Sequence, residues 1–147
     1  MDWSKVKLDE GFRGERFARG QVRSDFEINV ESGYSGLDDP DRYALLTHEG
    51  THIWQRQQGR LNNFGGAMRH LWSWLTHFGD SIAIYRVDRG FRGSFWELNF
   101  EQQAAVVGDW VEFNLSPIPP AVGSETGLPP VMLERLYLEF RYGPRPF

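Results

Sequence analysis

Cysteine is absent from this 147-residue chain. That excludes a disulfide scaffold, an iron–sulfur site and any thiolate ligand, so a metal ion here must be held by nitrogen and oxygen. Lysine is scarce: Lys5 and Lys7 are two of 16 basic residues, and the others are arginines, which suit carboxylate pairing. No stretch approaches the roughly 18 apolar residues needed to span a bilayer. The opening MDWSKVKLDEGFRGERF is polar and has no apolar signal core. The default expectation is a cytoplasmic protein, with export by a signal-peptide-independent secretion system as the alternative. Positive charge is also in deficit, 16 basic against 20 acidic residues for a net charge of -4, which gives no global attraction to nucleic acid or an anionic membrane. A phosphate-binding glycine loop is missing, because Gly11, Gly14 and Gly20 lack the strand-to-helix setting such loops need.

What is present is the composition of a folded domain, with 40% hydrophobic and 15% aromatic residues. We expect a single α+β domain with three main helices and a small N-terminal strand element. Its core would cover about 20–115, followed by a proline-rich loop over 116–130 and a C-terminal segment over 131–147. After an irregular lead, the alternation Val22, Ser24, Phe26, Ile28, Val30 predicts a strand or hairpin arm. Asp39-Pro40 predicts a helix start, and Gly59 a stop, for a first helix over about 40–58. Ala67, Leu71, Trp74, Leu75 and Phe78 recur at helical steps and predict a second helix over 64–78. Residues 81–96 read as loop carrying a short extended piece. Asn99 with Gln102 forms a capping-box pattern for a third helix running to about 114. The tail VMLERLYLEFRYG fits a short helix, with Met132, Leu136 and Phe140 apolar, or a strand. Trp54, Trp72, Trp74, Trp96 and Trp110 read as core and inter-helix packing.

The residues that carry chemistry are His48-Glu49-Gly50-Thr51-His52, an H-E-x-x-H run inside the first predicted helix. Positions 48 and 52 lie one above the other on a helix, so two imidazoles can meet one zinc ion while Glu49 reaches a metal-bound water as general base. Two histidines at that spacing can also be an ordinary packed or solvated helix face. A third ligand is available in Glu101 at the start of the third helix, with Glu97 as the next candidate. Two histidines and a carboxylate leave a fourth position open, as in catalytic zinc sites. An acid in the first turn also complements the helix dipole, and both roles can coexist. Gly50 costs roughly 1 kcal/mol of helix propensity relative to alanine, which a close backbone approach or a loosened helix would explain. Gln55, within a turn of His52, could bind substrate, fix the ligand histidine or make an ordinary polar contact. Candidates for oxyanion stabilisation are His70, His77, Tyr85, Tyr137 and Arg141, and spacing selects none of them.

HEGTH within ALLTHEGTHIWQRQQG, followed by ELNFEQQAAVVGDW, resembles a family of small bacterial zinc metallopeptidases with an H-E-x-x-H-x-x-Q helix and a later E-Q-Q-A helix. Such proteins occur near or within contractile secretion-tip and polymorphic-toxin proteins and are similar to the glutamate-ligand branch of zincins. WSKVKL also resembles the family's lead-in strand, and the likeness covers about residues 3–115. The resemblance implies that His48, His52 and Glu101 ligate one Zn2+ and that Glu49 activates water. Members of that branch often place an aspartate four residues after the glutamate ligand. Here that position is Ala105, which leaves Asp109 or another group to orient a histidine.

The expected function is zinc-dependent amide hydrolysis of a peptide or protein substrate, a cell-wall peptide being one variant. Secretion-machinery or immunity partners are implied by the resemblance, and neither nucleic acid nor membrane is expected as a partner. The alternative is a non-catalytic zincin-fold scaffold or accessory protein of a phage-like or secretion assembly.

Overall fold

Proline at a first helical position and a glycine able to take positive φ bound the helix that carries the H-E-x-x-H run. Helix α1 spans Pro40–Gln57, and Gly59 follows at φ 69°, its N–H bonded to the Arg56 carbonyl at 2.7 Å. The computed structural model describes residues 3–10, 20–30, 40–59, 83–115 and 125–143. The helix predicted over 64–78, with His70, His77, Trp72 and Trp74, lies outside them, as does Asp39.

Helix α2 spans Phe100–Leu115. Its capping box is reciprocal: Gln102 N–H donates to Asn99 Oδ1 at 2.9 Å and Asn99 N–H donates to Gln102 Oε1 at 3.1 Å. The tail resolves as a helix, α3, over Pro130–Tyr142, with Leu133 and Leu136 buried. Its helical form follows from tertiary packing on α2 and on the short 3-10 turn Phe95–Glu97.

The N-terminal element is a three-stranded sheet of β1 (Lys7–Glu10), β2 (Gly20–Ser24) and β3 (Glu27–Val30), in the order β1-β3-β2. β1 runs parallel to β3 and β2 antiparallel to it. The alternating run from Val22 to Val30 is therefore two strands joined by a tight turn, where Phe26 N–H meets Ser24 Oγ at 3.3 Å. Residues 7–10, part of the predicted irregular lead, are extended, and β1 is exposed along its length. No strand forms among the described residues of 81–96, where Ser94 caps the 3-10 turn instead.

Two apolar clusters flank the α1–α2 pair. Ile28 and Val30 of β3 pack with Ile53 of α1, while Val106 and Val107 of α2 pack with Phe95, Leu133 and Leu136. Trp54 sits edge-on to Phe140, and Trp110 stacks on Tyr137, so both tryptophans pack helices together. α1 and α2 meet closely at Gly108, where a Cβ would stand 3.1 Å from the Ala44 carbonyl oxygen and 3.5 Å from His48 Cβ. That glycine costs helix propensity but lets the two backbones approach, which brings Glu101 over the histidine face of α1. Among the described residues no helix is long and apolar enough to cross a membrane.

Candidate metal centre

His48 and His52 are one turn apart on the face of α1 turned toward α2, and Glu101 is in the first turn of α2 opposite them. His52 Nε2 lies 3.2 Å from His48 Nε2 and 3.1 Å from Glu101 Oε2, and His48 Nε2 lies 3.7 Å from the same oxygen. A tetrahedral site with ligand bonds near 2.0–2.1 Å has edges of about 3.3 Å between ligand atoms. The three observed edges bracket that value, the three residues are buried, and the donor set of two imidazole nitrogens and one carboxylate oxygen suits a borderline divalent ion. The residues fit a metal ion. His48, His52 and Glu101 form the single such cluster found among the described residues.

The far side of each imidazole also faces a polar side chain. His52 Nδ1 is 2.8 Å from Gln55 Oε1, and the Gln55 amide nitrogen donates to Gln103 Oε1 and to the Phe100 carbonyl, each at 3.1 Å. Of the three uses open to Gln55 in the sequence, its side chain is placed to fix the histidine. His48 Nδ1 faces Glu125, whose Oε2 is 3.3 Å away. The contact is of ion-pair length but poorly aligned, and His48 Nδ1 has no hydrogen-bond acceptor in line. Glu125 is on a short strap, Glu125–Leu128, held by Asp109. The Asp109 carboxylate accepts from Glu125 N–H at 3.0 Å, from Thr126 N–H at 2.9 Å and from the Thr126 hydroxyl. Asp109 therefore orients no histidine directly and positions the carboxylate that faces one.

Charge in the site is strongly coupled. Burial opposes protonation of His48, yet Glu101, Glu125 and Glu49 together hold it well above the usual imidazole range. Burial pushes the Glu49 carboxyl up, against the pull of His48 and His52 and with the help of Glu101 and Glu125. Burial also raises the Tyr85 phenol, and the carboxylates of Glu101, Glu125 and Glu49 raise it further, so its hydroxyl keeps its proton. The Tyr85 ring packs edge-on to His48 with centroids 5.7 Å apart.

The structure thus brings together His48, His52, Glu101, Gln55 and Tyr85, with Glu49 electrostatically coupled to the three donors. Tyr137 and Arg141 are elsewhere on α3: Tyr137 stacks on Trp110, and exposed Arg141 donates to the Tyr137 hydroxyl at 3.3 Å. Glu97 is exposed on the 3-10 turn and outside the donor cluster. Sequence reasoning missed Gln103 and Glu125. Gln103 stood in the quoted E-Q-Q-A block, two residues after the ligand, but no spacing rule pairs it with Gln55. Glu125 carries no local signal at all. No protein-family model, curated protein or solved structure matches this chain.

Proposed function

We propose that this protein is a zinc-dependent hydrolase, a metallopeptidase in which Glu49 is the general base. The observation that carries this reading is the mutual approach of His48 Nε2, His52 Nε2 and Glu101 Oε2 to within 3.1–3.7 Å, with the carboxylate of an H-E-x-x-H run buried on the same helix. A bound divalent ion would supply Lewis-acid polarisation of a carbonyl and lower the pKa of water.

The protein's own residues do the rest. As water adds to the carbonyl carbon of an amide, Glu49 takes its proton, and the protonated carboxyl returns it to the leaving nitrogen as the C–N bond breaks. Burial suits Glu49 to both halves, because a carboxylate raised toward neutrality accepts a proton and gives it up more evenly than a solvated one. Tyr85, kept protonated beside His48, can donate a hydrogen bond to the oxygen that becomes negative. A peptide or protein amide is the substrate class for which this residue set is suited.

The test is metal content and hydrolysis measured together. We expect about one zinc per chain in protein purified without chelator, by inductively coupled plasma mass spectrometry, and its loss in His48→Ala and Glu101→Ala. Glu49→Gln should keep the zinc and lose hydrolysis of an unfolded protein substrate. Failure of the parent to take up zinc on reconstitution would remove the reading. Zinc binding with hydrolysis unchanged in Glu49→Gln would remove Glu49 as the base, and a zinc protein that hydrolyses nothing would favour the scaffold alternative.

A further inference from the structure

An imidazole can offer a lone pair at Nε2 only while a neutral ring carries its hydrogen at Nδ1, so whatever faces Nδ1 of a ligand histidine decides whether it can ligate. For His52 that partner is an amide, which has a donor end and an acceptor end and is no help unless something fixes which end faces the ring. We propose that Gln103 is a positioning residue that fixes the orientation of the Gln55 amide and, through it, the hydrogen on His52 Nδ1. The proposal deepens the metal-site reading and rests on it for its consequence, though not for its first measurement.

The hydrogen-bond accounting admits one arrangement. Gln103 Nε2 donates to the Leu98 carbonyl at 3.0 Å and to the Phe95 carbonyl at 3.4 Å. Backbone carbonyls only accept, so the amide of Gln103 must turn its nitrogen to them and its Oε1 to Gln55. Gln55 then faces two acceptors, Gln103 Oε1 and the Phe100 carbonyl, each 3.1 Å from its nitrogen. Its own Oε1 is left for His52 Nδ1 at 2.8 Å. Reversing Gln55 alone would set its oxygen against two others, and reversing Gln103 as well would set oxygen against the carbonyls of Leu98 and Phe95. Gln55 is fully buried and Gln103 nearly so, which leaves no bulk water to repair a reversed amide. The direction of the relay is thus set by backbone just before α2, and it ends on the ring nitrogen opposite the donor atom.

The test is a double-mutant cycle on the full chain. Gln103→Met removes one of the two acceptors that orient the Gln55 amide and leaves the Phe100 carbonyl alone to hold it. Zinc affinity, read by competition with a chromogenic chelator, should fall about 10- to 100-fold, the range typical of groups that orient ligand histidines. In the Gln55→Glu background a carboxylate presents an acceptor to His52 whichever way it turns, so Gln103→Met should there be neutral or favourable. A loss of the same size in both backgrounds would make Gln103 a packing residue and overturn the proposal, as would wild-type affinity in Gln103→Met alone. Should Gln103→Met fail to fold, the wild-type protein still decides. Long-range proton–nitrogen NMR of the metal-free chain should show His52 Nδ1 bearing hydrogen, and a ring protonated at Nε2 alone would overturn the relay. A wild-type chain that takes up no zinc but shows the Nδ1 hydrogen would sink the metal reading and leave the relay standing.

Discussion

His48 and His52 project from one helix and turn Nε2 toward the same carboxylate, yet their Nδ1 atoms are held by different means. His52 is backed by a neutral, buried amide chain running through Gln55 and Gln103 to backbone carbonyls. His48 is backed by the carboxylate of Glu125, whose side chain is 53% exposed, at the end of a strap tied to Asp109. The difference follows depth. A carboxylate in place of Gln55 would be an additional fully buried charge next to Glu49 and Glu101, which is costly, whereas an amide supplies an acceptor with no net charge. Near the surface Glu125 keeps part of its hydration, and its attraction to His48 lowers its pKa against the partial desolvation on its inward side. The deep side gains rigidity and the shallow side gains charge.

Breaking the shallow side at its anchor should have the largest effect. Asp109→Ala removes the acceptor for two backbone N–H groups and a hydroxyl in a buried place, and we expect a loss of about 3 kcal/mol in urea unfolding. The deep relay should survive it, so His52 Nδ1 should keep its hydrogen in the NMR spectrum of the variant. Loss of that signal would mean that the two sides are one unit.

Gln55→Leu removes the buried partner of His52 Nδ1 and of Gln103 Oε1, and one donor to the Phe100 carbonyl. Zinc affinity should fall toward the upper end of the range for such groups, about 100-fold. Glu125→Ala removes an imperfectly aligned, half-solvated contact and should cost about tenfold. Equal losses in chelator competition would erase the distinction drawn from depth.

The features legible in the sequence were those whose physics is local. The H-E-x-x-H spacing, the reciprocal cap of Asn99 and Gln102 and the stop at Gly59 are all settled within one helical turn, and the described helices begin and end close to where those signals put them. The strand break at Asp25–Phe26 was less visible, because alternation continues through it while the chain reverses. The choice of helix for the tail depended on where Leu133 and Leu136 could be buried. The supports of the site were hidden for the same reason. Gly108 is intelligible only beside the Ala44 carbonyl, Gln103 only beside those of Leu98 and Phe95, and Glu125 only once Asp109 has folded its strap against α2.

The smallest expected effect concerns the charge on that strap. Burial holds the Asp109 carboxyl above its usual range, and the negative charge of Glu125 adds to this, while hydrogen bonds from Thr126 and from the Glu125 backbone oppose it. The folded chain therefore keeps the Asp109 proton to higher pH than the unfolded chain. Across the interval between those two pKa values the native state binds more protons, and stability from this group falls as pH rises. The contribution is complete below the unfolded carboxylate range and is lost as pH passes through the folded value. Asp109→Asn has no proton to release there, so its stability curve should lack that fall, although its absolute stability is lower because one oxygen cannot serve all three donors. The reading is the difference between the two curves in urea unfolding from pH 4 upward, which removes the titrations that do not interact with Asp109. A difference curve that rises with pH in favour of the parent would show that the bonds from Thr126 outweigh burial, and that the strap is anchored by a charge in the way His48 is faced by one.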